Sequence, residues 1–490
     1  VGKDKMTDQV DAILFDLDNT LINTQALKNY RENSLRGDFT QGLLDLTKIY
    51  PKTRSILDSL AQRNIPLGVV TNSPKRYALK LLEHYDLTNY FKVIITYDDV
   101  KNGGAKPSPI GINLALAQLG LSSKNNILFI GDEENDVNAS YAAGVKPIAP
   151  AWASKEFIGQ VPAAMLSTSL LLSEIQKFSN INLIADRCAN ENSFEIEKKQ
   201  LYFIPMTIDG QIGAIKKDDI DIICLGRYFS QGSELTARIH DMHPLSKEIY
   251  KKELSNTYVI PEYWVRLLNH FVEKTPAYIF NNTSDFNIVT VIPSKKSKNP
   301  RLENMLNRIS RISKSTAKFI PDLFEFQENA KSLKTLGRKE NRQHEIGQNL
   351  RIKDKYSTLI GNAKILIIDD VVTTGATFEG AFNLLSSYRP ERILGICLAK
   401  TVSVSAELKF CPDCGRRMKL RTNHKDDTHF WGCTGFHETP QCKHTENMRI
   451  KECPSCGGNM YQKRNKKGEL FLTCEEYYTV RNCRYTEDIL

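Results

Sequence analysis

The run AILFDLDNT, Ala12 to Thr20, decides how the first third of this chain is read. AILF reads as a buried strand of the parallel-sheet kind, and it delivers two carboxylates, Asp16 and Asp18, at its C-terminal end. That edge is where ligands bind in open α/β sheets. Working outward, PLGVVT reads as a strand ending at Thr71, AKPSP carries Lys106, and NILFIG leads to Asp132 and Asp136. KRYALKLLEHY and PIGINLALAQLG are helical in period, so residues 1–178 read as βα units on a parallel sheet. Carboxylates are hard-oxygen ligands for Mg²⁺, and a Lys with a Thr suits phosphate oxygens. Together they predict a metal and phosphate site.

The motifs DLDNT, TNS, KPSP and GDEEND, in that order, resemble the haloacid dehalogenase (HAD) phosphatase superfamily. AGVKPIAPAWA resembles the following strand of phosphoglycolate-phosphatase-like members. The resemblance implies Asp16 as a nucleophile forming an aspartyl-phosphate, and Asp18 as general acid and then base. It implies Thr71 and Lys106 as phosphate-binding catalytic groups, and Mg²⁺ held by Asp16, the Asp18 carbonyl, Asp132 and Asp136. Only 52 residues separate Asp18 from Thr71, too few for a large helical cap, although QALKNYRENSLRGDF leaves room for a minimal one.

A second constellation is ILIIDDVVTTGAT. A strand delivers Asp369 and Asp370, then a turn of small and hydroxylated residues opens the helix FEGAFNLLSSY. Amides from Thr373 through Thr374 and Gly375 to Thr377 can surround a phosphate at a helix N-terminus, and the two acids suit a ribose diol. The run resembles the phosphoribosyltransferase (PRTase) signature of the type I fold. Arg342, Gln343 and Asn349–Arg351 upstream resemble the ComF type. That resemblance implies phosphoribosyl pyrophosphate (PRPP) as ligand, with Ser294, Lys295 and Lys296 as pyrophosphate-loop candidates and Arg338 and Arg342 as weaker ones. The ComF zinc finger is absent, because Cys188 and Cys224 have no CxxC partners and read as core thiols. Whether the domain transfers a phosphoribosyl group or only senses PRPP or a nucleotide stays open at this stage.

The tail repeats a pattern: Cys411-x2-Cys414-x18-Cys433-x8-Cys442, then Cys453-x2-Cys456-x17-Cys474-x8-Cys483. Each copy supplies four thiolates, the set for a closed structural Zn²⁺, and modules this short need metal to stay folded. They resemble the C-terminal zinc ribbons of type IA topoisomerases, which bind single-stranded DNA. Trp431, Phe436 and Tyr477 are candidate stacking faces, and Arg416, Arg417, Lys463 and Arg464 candidate phosphate contacts. The tail from residue 409 carries 15 basic and 11 acidic groups, so stacking and local patches would carry binding to DNA or RNA. A protein-contact role for the ribbons is the other reading.

Composition agrees with a globular multidomain enzyme. Of 490 residues, 41% are hydrophobic and 25% charged, which excludes a disordered or disulfide-stapled chain. The net charge is +9, and residues 295–355, with 16 basic and 7 acidic side chains, account for all of it. That segment reads as a solvated basic helix, a PRPP loop or a nucleic-acid groove. No apolar run approaches a membrane span, and the clustered thiols point to a reducing cytoplasm. The expected architecture is α/β multidomain, with two Rossmann-like parallel-sheet domains and two small β ribbons. The expected boundaries are 1–178, 179–408 (core 281–408), 409–448 and 449–490. The expected function is a Mg²⁺-dependent phosphohydrolase coupled to a PRPP-binding domain and tethered to single-stranded nucleic acid. In domain combination the chain resembles effectors of bacterial anti-phage systems, including retron accessory proteins, which implies partners in a defence complex.

Overall fold

The computed structural model describes residues 8–32, 39–100, 104–153, 158–194, 203–212, 216–280, 285–294, 298–327, 346, 349–404, 411–416, 418–423, 428–479 and 482–488. Lys295, Lys296, Arg338, Arg342, Gln343 and Arg417 lie outside the described residues. Two compact units form: Val1–Arg227 with Lys252–Lys400, and Tyr228–Lys251 with Thr401–Leu490. Among the described residues no helix is long and apolar enough to cross a membrane.

Among the described residues the first unit holds two large sheets and two small two-stranded ones. In the first, β1 (Ala12–Phe15), β2 (Leu67–Val70), β3 (Val93–Ile95), β4 (Ile127–Ile130), β5 (Lys146–Pro150) and β6 (Ala164–Leu166) run in the order β3-β2-β1-β4-β5-β6. Every neighbouring pair is parallel. The continuous apolar runs follow from burial on both faces. Ile13, Phe15 and Val69 pack with Ile56, Leu57 and Leu60 of α1 (Thr53–Gln62) and Tyr77, Ala78 and Leu81 of α2 (Lys75–His84). Ala12, Leu14, Val70 and Phe129 face the other way, onto Ile112 and Leu116 of α3 (Ile110–Gln118) and Ala139 of α4 (Glu134–Ala143). β1 is central, so Asp16 and Asp18 leave the sheet between the ends of β2 and β4. In place of a large cap, the described residues between Asp18 and Thr71 form two short helices, Lys28–Glu32 and Gln41–Leu44, and a two-residue strand pair before α1.

The second sheet contains β7 (Ile204–Met206), β8 (Ile222–Cys224), β9 (Ile288–Val291), β10 (Lys318–Phe319), β11 (Lys364–Val372) and β12 (Arg392–Val402). Its main path is β10-β9-β11-β12-β8-β7, parallel except that β7 runs against β8. α5 (Glu262–Ile279), α6 (Arg301–Ile312) and α7 (Ala376–Ser386) accompany it. Cys188, Cys224 and Cys397 are buried, as core thiols should be. Ile158 and Ile212 join the two sheets' loops by exchanging backbone hydrogen bonds of 2.9 and 2.7 Å.

The second unit contains two antiparallel modules. β13 (Met418–Thr422), β14 (His429–Cys433) and β15 (Thr445–Asn447) form one. β16 (Arg449–Glu452), β17 (Asn459–Arg464), β18 (Leu470–Cys474) and β19 (Thr486–Asp488) form the other. Residues 228–251, expected within the middle domain, cluster here and supply the helix Glu234–Met242.

Candidate active site and metal centres

The backbone at the end of β1 explains the placement of both acids. Asp16 continues the strand, its N–H donating to the Ile130 carbonyl at 2.8 Å. Asn19 then takes a left-handed conformation (φ 54°), and the turn closes as Leu21 and Ile22 donate to the Leu17 carbonyl. Asp16, Thr71, Lys106, Asp132 and Asp136 are all buried around this point. Lys106 Nζ lies 2.5 Å from Asp16 Oδ1 and 2.6 Å from Asp136 Oδ1. Its backbone is clamped by the Asn72 side chain, which accepts from Lys106 N–H at 2.8 Å and donates to its carbonyl at 2.9 Å.

Carboxylate oxygens of Asp16, Asp132 and Asp136 fall within 4.8 Å of one another. Burial pushes the Asp16 carboxyl well above the carboxylate range, against Lys106 and with the help of Asp136 and Asp18. Burial also raises Asp132, and Asp136 and Asp16 add to it. Three hard oxygen donors that repel one another in a buried site fit a divalent cation such as Mg²⁺. Burial alone would lower the Lys106 ammonium, but Asp136 and Asp16 outweigh it and hold the group charged.

Asp18 is separately held. Its Oδ1 accepts from Thr24 Oγ1 (2.7 Å), Tyr77 OH (2.8 Å) and Arg31 Nη1 (2.8 Å), and its Oδ2 from Ser73 Oγ (2.6 Å). Sequence reasoning missed Arg31, Tyr77, Ser73 and Thr24. Arg31 stands in the segment read as a minimal cap, and Ser73 inside the TNS motif, so both lay in stretches already singled out. A pocket of about 340 Å³ opens over Asp16, Asp18, Thr71 and Lys106, with Lys28 and Arg31 on its wall. Because Arg31 fixes Asp18 from outside the sheet, Arg31→Met is expected to lower kcat about tenfold and to shift Tm little. Steady-state kinetics beside a melting curve reads this, and an unchanged kcat would remove Arg31 from the site.

At the C-terminal edge of the second sheet, Asp369 and Asp370 end the apolar part of β11, and Gly375 (φ 75°) precedes α7. Arg301 Nη2 and Lys252 Nζ contact Asp370 Oδ2 at 2.5 and 2.9 Å. Burial pushes Asp370 up, but Lys252 and Arg301 outweigh it and hold it below the usual range; burial and Asp370 push Asp369 up to about 7. The structure adds Lys400, buried on β12, whose Nζ reaches the Thr373 carbonyl at 3.3 Å. Sequence reading passed over it because AKTV carries no motif.

The eight tail cysteines form two clusters, Cys411, Cys414, Cys433, Cys442 and Cys453, Cys456, Cys474, Cys483, each with all sulfurs within 4.8 Å. The Cys411–Cys442 and Cys414–Cys433 Sγ pairs stand 3.6 and 3.4 Å apart. Zn–S bonds of about 2.3 Å give a tetrahedral edge of about 3.8 Å, so the sets fit Zn²⁺. Trp431, expected as a stacking face, is only 3% exposed, and its Nε1 donates to Glu234 Oε2 at 2.9 Å. It shares the inward face of β14 with His429 and Cys433, so period-2 alternation turns it away from solvent. Phe436 is 41% exposed and Tyr478 86%. Lys463 Nζ lies 5.9 Å from the Tyr478 ring centre, and the Arg484 guanidinium 5.9 Å from that of Tyr477. Arg416 is paired with Glu438 at 3.1 Å, and Arg464 is bonded to the Gly468 carbonyl.

Two families of known proteins match parts of this chain. Residues 27–149 match the haloacid dehalogenase-like hydrolase family, a range that begins after Asp16 and Asp18. Phosphoglycolate phosphatase of Photorhabdus laumondii is 38% identical over 98 residues, 20% of this chain and 41% of that protein. The Escherichia coli K12 enzyme of the same name is 39% identical over 98 residues, 20% of this chain and 38% of that protein. The chain thus spans about two fifths of the length of these relatives. A solved HAD-superfamily hydrolase from Ehrlichia chaffeensis is 23% identical with a TM-score of 0.27, covering 34% of this chain and 96% of that one. Residues 409–449 and 450–490 match the topoisomerase DNA binding C4 zinc finger. The chain therefore carries a HAD-superfamily domain followed by two topoisomerase-type C4 zinc ribbons.

Proposed function

We propose that the chain is a phosphomonoester hydrolase, and that its ribbons hold it on single-stranded nucleic acid. The observation that carries the reading is the convergence of Asp16, Lys106, Asp132 and Asp136 at one sheet edge, with Asp18 held beside them. Asp16 Oδ attacks the substrate phosphorus while the bond from phosphorus to the leaving oxygen breaks. Asp18 gives that oxygen its proton, leaving an alcohol and an aspartyl-phosphate. Asp18 then takes a proton from water as the water attacks phosphorus, and inorganic phosphate leaves with Asp16 restored. Lys106 and Thr71 hold the phosphoryl oxygens. Asp16, Asp132, Asp136 and the Asp18 carbonyl would hold Mg²⁺, which would supply positive charge against the phosphoryl group. The short insertion after Asp18 suits a bulky substrate, such as a phosphorylated end of a nucleic acid. Hydrolysis of an aryl phosphate that depends on Mg²⁺ tests the reading. Inertness towards aryl phosphates, nucleotides and phosphorylated oligonucleotides alike would reject it.

Exposed Tyr478, beside Tyr477, Lys463 and Arg484, supports stacking on unpaired bases. Tyr478→Ala is expected to weaken oligo(dT) binding about tenfold by fluorescence anisotropy. The salt slope should stay shallow, because the tail's charges nearly balance. A steep slope with no loss on the Tyr478 change would move binding elsewhere.

The second sheet favours a ligand-sensing reading over transfer. The Asp370 carboxylate, which would meet a ribose diol, is engaged by Arg301 and Lys252. The DDVVTTGAT loop is accordingly read as a PRPP or nucleotide sensor acting on the phosphatase, in nucleotide metabolism or in a defence complex.

A further inference from the structure

The loop before α7 is covered. A Cβ built on Gly375 would stand 2.4 Å from the Ile208 carbonyl oxygen, so the backbone of the turn at residues 207–211 lies directly against it. Gly210, also left-handed (φ 78°), approaches so closely that its Cβ would stand 3.6 Å from Gly375 N and 3.3 Å from Lys400 Nζ. The turn is closed by its own hydrogen bonds, Thr207 N–H donating to the Gln211 carbonyl, Gly210 N–H to the Thr207 carbonyl and Thr207 Oγ1 to Asp209, and it is anchored from outside where Ile208 N–H donates to Asp221 Oδ2 at 2.8 Å. Burial lowers the Lys400 ammonium, against Cys224, Cys397, Asp209 and Glu134. The backbone of a tight turn thus covers Gly375 and stands beside the Lys400 ammonium.

The same turn leads back to the phosphatase site. Ile212 pairs with Ile158 through two backbone hydrogen bonds, and the next residue, Gly159, donates its N–H to Glu134 Oε2 at 2.9 Å. Glu134 opens α4, whose first turn also holds Asp136, and Asp136 Oδ2 accepts from Glu133 N–H at 3.0 Å. Contacts therefore run unbroken from Gly375 to the acid that binds Lys106.

We propose that the Thr207–Gln211 turn is an internal plug of the Thr373–Thr377 loop, that a phosphorylated ribose displaces it, and that the displacement is transmitted through Ile212, Ile158 and Glu134 to the Asp132–Asp136 segment. The proposal rests on reading that loop as a ribose-phosphate site. Lys400, which Gly210 approaches, is then the cation that the ligand phosphate meets once the turn is displaced. A plug that leaves the loop open about one part in ten reduces apparent affinity about tenfold, and removing Asp209, whose carboxylate closes the turn by accepting from Thr207 Oγ1, restores it.

The test uses the full chain carrying Asp16→Asn, so that no probe can be consumed. Calorimetry and amide hydrogen exchange are followed with PRPP, ribose 5-phosphate, a nucleoside monophosphate and inorganic phosphate. Ribose-bearing probes are expected to bind, to speed exchange at residues 207–212 and to alter it at residues 132–138. Asp209→Ala should tighten binding about tenfold, or Thr207→Val if the alanine variant misfolds, and Lys400→Met should abolish binding. Binding without a change at residues 207–212 would overturn the plug, as would no binding at all. An equal response to inorganic phosphate would overturn the ribose class. A change at residues 207–212 without one at residues 132–138 would overturn the coupling. None of these readouts depends on turnover, so an inert wild type rejects the phosphatase reading separately.

Discussion

Asp16→Asn retains less than about one part in ten thousand of wild-type turnover on an aryl phosphate, because a nucleophile's loss removes the covalent route itself. Asparagine keeps the shape of the side chain and so keeps the packing. It also removes a carboxyl that burial pushes upward, with Asp136 and Asp18 adding to the effect against Lys106. Lys106 keeps Asp136 at 2.6 Å, so the ammonium is not left without a counter-charge. The variant is therefore expected to melt within a few degrees of wild type in the absence of metal. Adding Mg²⁺ should raise Tm more for wild type than for the variant, since a ligand that binds only the folded state stabilises it more the more tightly it binds. Kinetics and melting curves with and without Mg²⁺ read both effects. Turnover surviving in Asp16→Asn would overturn the assignment of the nucleophile.

Cys433→Ser and Cys474→Ser each lose one of two zinc ions per chain, and with it the fold of one ribbon. The core of the first ribbon is Cys411, Met418, Trp431, Cys433 and Cys442, so the ligands are themselves most of what is buried. Binding of structural zinc is worth about 10–16 kcal/mol in zinc-finger peptides, far more than such a core supplies. The second ribbon buries Met448, Ile450, Met460 and Leu472 beside its cysteines. It should consequently survive a chelator longer than the first. Oligonucleotide binding falls in both variants, whereas aryl phosphatase activity stays, because the sheets belong to the other compact unit. Elemental analysis of freshly prepared protein measures the stoichiometry. Iron in place of zinc, or disulfides among these thiols, would overturn the assignment.

Local sequence was enough to locate the acids of the first sheet, because an apolar run of strand length ending in Asp has few other readings. The same holds for the paired CxxC spacings, where the ligand chemistry is written in the residues themselves. The loop at Thr373–Thr377 was legible as strand, turn and helix for the same reason. Trp431 shows where this stops. Its neighbours suggested an exposed aromatic, yet the alternation of β14 and a partner 197 residues away, Glu234, bury it.

Asp18 and Asp370 make the point for charge. Asp18 is held by Tyr77, 59 residues distant, and Asp370 by Arg301, 69 residues distant, and no periodicity marks either pairing. The turn seated on Gly375 comes from more than 160 residues earlier in the chain. The amino-acid order alone determined which chemical groups stand at the strand ends and in the metal clusters, since strand length, turn residues and ligand spacing are local. Which of those groups are held, neutralised or covered was decided only by tertiary packing, since two side chains far apart in sequence share a charge or a surface only after the sheets have assembled.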